Sequence, residues 1–268
     1  MPDRKCVMSR STHRSASRPC TNGEAFHQPF PSWGLLAQNL DLDLQALRGA
    51  VLRAAGGRVI SYIVRSTEKE DGRHWQRGSG PNWQGGLITL CTCRHDIRAW
   101  RSCDEWRNWW IAGFTVVGGR DRGNSLVYLM RVRDAFKSHM EMWASLPEET
   151  RRAKATDSNV LGDVYRPRPG RSAAGCFAPK SYVKPHPRHP HSNPEEKWYK
   201  DVTKYMRTRV SCLLAGDPEL SFLWSEPLIR LVDCPLIHHK EWPALSDLLG
   251  HLAPWDSSGE GRTRSRRD

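Results

Sequence analysis

The stretch VISYIV at residues 59–64 decides the fold, because a short apolar run rich in β-branched residues predicts a buried β-strand. Two further runs, WWIAGFTVV at 109–117 and LVYLMRV at 126–132, have the same strand length. Between them lies GGRDRGN, a segment that suits the turn of a hairpin. The sequence therefore predicts the α+β class: a small, curved, mixed β-sheet tending toward a barrel, with peripheral helices and disordered termini.

Four regions are expected along the chain. Residues 1–32 are polar and basic and are predicted to be disordered, and so is the tail at 253–268. Residues 33–57 form a helical extension, because apolar side chains recur there at three- and four-residue spacing. This helix either packs on the domain or results from a wrongly predicted gene start. Residues 58–252 form the domain itself.

Three helices are predicted inside the domain. One runs from Asp134, its expected N-cap, to about residue 145, and the others cover about 193–206 and 242–249. The density of proline between 167 and 194 makes regular structure improbable there.

The chain is strongly basic, with a net charge of +12, and the excess is concentrated in one segment. Residues 163–210 carry 11 Lys and Arg against 4 Asp and Glu. This basic segment is either a solvated loop or a surface that attracts phosphate. No apolar run is long enough to span a bilayer, so no membrane partner is expected.

The cysteines predict reduced thiols and an intracellular protein, in the cytoplasm or nucleus rather than secreted. None of the 8 cysteines forms a CxxC pair, and no secretory leader opens the chain. Cys91, Cys93 and Cys103, with His95 nearby, have poor spacing for zinc, so we expect buried thiols and no metal. The histidines at 186, 189 and 191 form either a weak metal-binding tract or, more simply, part of a flexible basic loop.

Five candidate ligand-binding residues lie at strand ends or in tight loops. Arg65 follows the first strand, while Arg94 and Arg98 follow the second, and a guanidinium binds two acceptors at once. Asn82 and Trp83 lie in PNWQGG, whose glycines let backbone approach a ligand closely. Salt bridges, a plain turn and core packing are the alternative roles of these residues.

Two more candidates lie in the segment GDVY at 162–165. Asp163 can act as a general base or contact a ribose, although an Asp that stabilises a turn is the simpler interpretation. Tyr165 belongs to the same segment. If Arg65, Asn82, Arg98 and Asp163 form one site, their side chains must converge on one pocket.

The ordered set of segments resembles the second type of nucleotide modification associated domain, over about residues 58–232. The similar segments are VISYIVRS, GSGPNWQGG, ITLCTCRHDIR, WWIAG, SLVYLMRV, GDVY, HSNPEE and CLLAG followed by SEPLIRL. Asn108-Trp109 stands where that family tends to have Gly-Asp, Arg94-His95 stands where it has Lys-Pro, and GDVY is one residue shorter than its counterpart. These departures are typical of a divergent member.

The resemblance implies a link to systems that modify DNA bases, but it specifies no reaction. We expect a module that binds a modified base, a nucleotide or a nucleic acid; the alternative is an enzyme acting on a nucleobase or nucleotide, with Asp163 or a histidine as base. An inactive copy is a third possibility. Walker A, GxSxG and HExxH motifs are absent, and the sequence identifies no cofactor and no oligomeric state.

Overall fold

A curved mixed sheet with helices around it forms the protein, and this confirms the predicted fold class. The computed structural model describes residues 28–30, 39–54, 56–70, 72–116, 124–203, 210–234, 236 and 238–255. The large sheet has 8 strands, six of which lie in the order β10-β2-β6-β7-β8-β5, while β9 joins β7 to β11. Its strands are β2 (Val59–Ile63), β5 (Thr89–Leu90), β6 (Trp110–Val116), β7 (Asn124–Phe136), β8 (Leu213–Leu223), β9 (Ile229–Leu231), β10 (His239–Trp242) and β11 (Leu252–Pro254).

The strand pairing makes the sheet mixed. β2 runs parallel to β6, whereas the other pairs in the sheet are antiparallel. β6 and β7 pair from Trp110 with Arg131 to Val116 with Asn124, as the predicted hairpin requires. A second, antiparallel sheet joins β1 (Gln28–Pro29), β4 (Arg73–Gln76) and β3 (Thr67–Glu70).

Both faces of the large sheet are covered, because side chains alternate along its strands. In β2, Val59 and Ile63 face one core, while Ile60 and Tyr62 face the other. Trp110, in β6, is fully buried and belongs to the same core as Val59.

Seven α-helices surround the sheet in the described residues. Helix α1 contributes Leu47 and Val51 to the same core as Val59, so it packs on the domain. The helices are α1 (Leu44–Val51), α2 (His95–Arg98), α3 (Cys103–Trp106), α4 (His139–Ser145), α5 (Glu148–Lys154), α6 (Glu196–Thr203) and α7 (Leu245–Gly250). None of the helices in the described part of the chain has the length and apolar character that crossing a membrane requires.

Several boundaries differ from the predictions. β7 continues to Phe136, and helix α4 is capped by Ser138 rather than Asp134, because the strand pairs with β8 through these residues. β8 is one long strand of 11 residues and covers part of the sequence segment CLLAG. Trp242 belongs to β10, and α7 begins after it.

The prediction that residues 1–32 are disordered is wrong for residues 28–30, the part of this segment that the structure describes. Residues 28–30 carry strand β1, and Phe30 is buried against Trp83 and His74. The predicted disordered tail is likewise wrong at its start, because residues 253 and 254 belong to strand β11. The rest of the predicted disordered termini, at 1–27, 31–32 and 256–268, and residues 33–38 of the predicted helical extension lie outside the described residues.

The segment between residues 167 and 194 has only short 3-10 turns, as its prolines predict. It is not, however, a flexible loop. Tyr182 and His189 are buried, and Tyr182 packs with Tyr165 and Trp198 in a small core of its own. Aromatic side chains hold this irregular chain in place without regular backbone hydrogen bonding.

Cys103 and Cys212 form a disulfide, so the expectation of reduced thiols is wrong for this pair. The two cysteines are 109 residues apart in sequence, and their Cα atoms lie 5.6 Å apart. A sequence without a CxxC pair gives no sign of it, since the sheet alone brings α3 next to the start of β8.

Gly113 provides a direct test of the packing between the two central strands. A Cβ at Gly113 would overlap the Tyr128 ring and lie 2.6 Å from Val64 Cγ2. We expect G113A to lower the free energy of unfolding by about 1–3 kcal/mol through overpacking. Gly49 lies on the exposed side of helix α1 and has nothing within 4 Å of an added Cβ.

The control G49A should therefore leave stability unchanged or raise it by about 0.5–1 kcal/mol. Urea unfolding of both variants measures the difference. Equal stability of G113A and the unsubstituted protein would contradict the strand packing described here.

Candidate functional site

A small pocket opens where strand β2 ends and the turn from β5 into α2 begins. Its volume is about 290 Å³. A Cβ at Gly80 would lie 2.9 Å from Cys93 Cβ, so the glycine lets the loop approach this turn closely. The lining residues are Tyr62, Ile63, Val64, Arg65, Ser66, Gly80, Thr92, Cys93, Arg94, His95 and His191.

Two of the predicted arginines, Arg65 and Arg94, line the pocket. Arg65 is exposed. Arg94 takes a left-handed backbone conformation with a φ of 51° between β5 and α2. Its guanidinium lies 5.1 Å from the Tyr62 ring centroid and pairs with Asp96 at 3.0 Å. The pocket thus holds an arginine that is stacked on an aromatic ring.

His191 also lines the pocket and carries a positive charge. Its Nδ1 lies 2.6 Å from Asp201 Oδ2, and the Asp201 side chain is only 5% exposed. Burial alone would lower the pKa of His191, but the Asp201 carboxylate and a hydrogen bond with Cys93 raise it to about 10. The imidazole is therefore a cation at neutral pH.

A buried aromatic cluster positions Asp201 and His191. The Tyr165 hydroxyl donates to Asp201 Oδ2 at 2.7 Å, and burial raises the pKa of Tyr165. The backbone N–H of His191 donates to His189 Nδ1 at 3.1 Å. His189 Nε2 lies 2.7 Å from the Gly162 carbonyl, and burial lowers the pKa of His189 to about 4. His189 is therefore neutral and donates through Nε2.

Asn82 and Asp163 lie in a buried polar network and do not line the pocket. Lys154 Nζ donates to Asn82 Oδ1 at 2.7 Å and to Thr89 Oγ1 at 2.9 Å. Thr89 donates in turn to Asp163 Oδ2 at 2.9 Å, and Asn82 Nδ2 donates to the Leu161 carbonyl at 2.7 Å. The polar atoms of the Asn82 and Thr89 side chains therefore have hydrogen-bond partners within the protein.

The charges in this network are mutually dependent. Burial lowers the pKa of Lys154 to about 8, although Asp163 opposes the shift. Burial raises the pKa of Asp163, although Lys154 opposes that shift in turn. Each charge is stable in the interior only because the other is present.

Arg98 and Trp83 also contact other parts of the protein and do not line the pocket. Arg98 is 2% exposed, and its guanidinium donates to the carbonyls of Cys93 and Cys212 at 2.8 and 2.7 Å. Trp83 is half-buried, and its ring centroid lies 6.3 Å from that of Phe30. Arg65, Asn82, Arg98 and Asp163 therefore do not converge on one pocket, because three of them are buried elsewhere.

The residues that complete the pocket were not chosen from the sequence. Cys93 was considered only as a thiol with poor zinc spacing, and His191 only as part of a histidine tract. Both residues lie in segments that resemble the nucleotide modification associated domain, and this resemblance is the sequence feature that points to them. Asp201 lies in a helix with an ordinary pattern of charges and gave no signal. The described residues contain no group of three or more His, Cys, Asp or Glu arranged to hold a metal ion, and the expected absence of zinc stays a prediction.

Two larger clefts do not contain Arg65, Arg94 or His191. One, of about 690 Å³, lies beside Trp143 and Arg151, and the other, of about 600 Å³, lies beside Arg107 and Glu141. Most of the side chains that line them are exposed or half-buried, so the smaller pocket is the better candidate.

A comparison of the chain with models of known protein families, with curated proteins and with solved structures finds no match. The resemblance to the second nucleotide modification associated domain thus stays a prediction that depends on the motifs quoted above.

The buried Lys154 network predicts a large effect from a single substitution. K154M leaves Asn82 Oδ1 without its donor and the Asp163 charge without compensation, so we expect a loss of about 3–5 kcal/mol in unfolding free energy. The matched control is R152M in the same helix, because Arg152 pairs with Glu148 on the exposed surface. Loss of that pair should cost less than about 1 kcal/mol.

Chemical denaturation of the two variants gives the comparison. A loss no greater for K154M than for R152M would show that the network contributes little to stability.

Proposed function

We propose that the pocket binds the phosphate and base of a single nucleotide unit, either free or within a nucleic acid. The observation that supports this best is the clustering of three cationic groups, those of Arg65, Arg94 and His191, around one small pocket. The carboxylates of Asp96 and Asp201 pair with two of them but do not line the pocket. A ligand therefore meets a positively charged surface.

The shape and chemistry of the lining suit a nucleotide. A volume of about 290 Å³ is at the small end for ligand sites and matches one nucleotide unit better than a longer stretch. Arginine binds phosphate through two parallel hydrogen bonds, and guanidinium planes also stack on bases. The Arg94 guanidinium near the Tyr62 ring provides such a plane at the pocket wall.

The basic segment contributes less than its composition suggests. Arg166 pairs with Asp157 at 2.5 Å, Lys184 with Glu195 at 3.5 Å and Lys200 with Glu196 at 3.6 Å. Arg168 donates to the Tyr182 carbonyl at 2.9 Å. Part of this charge is therefore used within the protein, and we assign recognition to the pocket instead.

A role in DNA base modification and an intracellular location belong to the same proposal. An enzyme acting on a nucleobase or nucleotide is the second candidate function, and the presence of Cys93 and His191 in one pocket favours it.

Calorimetric titration at low salt tests nucleotide binding. We expect R65A and R94A each to weaken the binding of a nucleoside monophosphate by roughly tenfold or more, because each removes a charge-assisted hydrogen bond. The matched control is R171A, an exposed arginine of the basic segment, which should bind as the unsubstituted protein does.

Single- and double-stranded oligonucleotides in the same assay identify the natural form of the ligand. For a nucleic acid, the logarithm of affinity should fall with the logarithm of salt concentration by about 0.7–0.9 per phosphate contact. Binding no tighter than that of an unrelated protein of equal charge would refute the proposal. Equal weakening by R171A would move the site to the basic segment.

A further inference from the structure

We propose that Cys93 is a nucleophile that attacks an acyl carbon of the bound nucleotide, with His191 as its acid–base partner and Asp201 as the residue that positions His191. The inference rests on the proposed function for its substrate class, a nucleotide that carries an amide or ester group. The nucleophile itself rests on the geometry of the pocket.

The turn between β5 and α2 presents Cys93 to the pocket. Cys93 is half-buried, and its Sγ lies 3.3 Å from Ser79 Oγ. Thr92 donates to the same Ser79 oxygen at 2.7 Å, which fixes the loop beside the thiol. Gly80 leaves room for the sulfur, since a Cβ there would lie 3.1 Å from it.

Three side chains follow one another in the order that nucleophilic catalysis requires. Cys93 and His191 line the same pocket, and His191 Nδ1 is held by Asp201 Oδ2 at 2.6 Å. Enzymes on unrelated folds share this arrangement of a nucleophile, a base and a third group that orients the base.

The other cysteines of the described residues have different surroundings. Cys91 is fully buried, with its Sγ 3.3 Å from Met142 Sδ, and Cys103 and Cys212 are joined in the disulfide. Cys176 is as accessible as Cys93 but lines none of the three pockets described above. Cys234 lies 2.9 Å from Lys240 Nζ, so it is a competing reactive thiol that the experiment must separate.

The reaction is a hydrolysis in two steps. In the first, the Cys93 thiolate forms a bond to the acyl carbon, the bond from that carbon to nitrogen or oxygen of the nucleotide breaks, and His191 gives its proton to the leaving atom. In the second, water attacks the thioester, neutral His191 takes a proton from the water, and the carbon–sulfur bond breaks. The products are a carboxylic acid and the nucleotide, and Cys93 and His191 return to their starting forms.

A chromogenic acyl ester tests the nucleophile without any assumption about the nucleotide. With p-nitrophenyl acetate we expect a burst of nitrophenolate approaching one equivalent per chain, with the acetyl group found on Cys93 by peptide mass spectrometry. C93S should abolish this burst, whereas the controls C176S and C234S should retain it. H191A should slow the burst by roughly 100-fold or more, as loss of an acid–base group does.

Asp201 requires a measurement that separates positioning from folding. D201N should lower the melting temperature, because the His191 charge loses its partner, and it should also slow the burst at a temperature where circular dichroism shows the variant fully folded. D201E should recover part of the rate. Equal burst rates in D201N and the unsubstituted protein would remove Asp201 from the proposal.

Protection by nucleotide separates this inference from the proposed function. A saturating nucleoside monophosphate should slow the acetylation of Cys93 but not that of Cys234, if the pocket holds both groups. A burst at Cys93 without protection leaves the nucleophile in place and refutes nucleotide binding at this pocket. Nucleotide binding without a burst, or an acetyl group on Cys176 or Cys234 instead, overturns the nucleophile.

Discussion

The rest of the site depends on the buried ammonium group of Lys154. It joins the loop before β5, through Asn82, to the strand itself, through Thr89, and it lies near the Asp163 charge. The chain passes so close at this point that a Cβ at Gly162 would lie 2.6 Å from the Lys154 carbonyl. A charge fixed in the core thus secures the irregular segment that follows against the edge of the sheet.

From this anchor, a chain of polar contacts leads to the pocket. The Gly162 carbonyl holds His189, and His189 accepts the backbone N–H of His191. His191 then faces Cys93 and is oriented by Asp201, which Tyr165 also holds. A proline-rich segment with little secondary structure can therefore place one imidazole accurately, because buried aromatic and polar groups fix its backbone.

Local sequence patterns predict the fold well and the site poorly. The runs at 59–64, 109–117 and 126–132 carry their strand character in adjacent residues, so the curved mixed sheet follows from them. Arg65 and Arg94 could be predicted as pocket residues because both lie in the turns that begin where β2 and β5 end. The structural roles of Asn82, Arg98 and Asp163 could not, since each depends on a partner far away in the sequence. The link between Cys93, His191 and Asp201 is hidden for the same reason, as it joins a turn, an irregular segment and helix α6.

The charge on His191 is the property that both the anion-binding pocket and the nucleophile require. Its titration, followed by NMR of the isotopically labelled imidazole, measures this property directly in the unsubstituted protein. Held by Asp201, the ring should stay protonated at neutral pH and lose its proton near pH 10. Titration near 6.5, the ordinary value for histidine, would contradict the arrangement of Cys93, His191 and Asp201 described here.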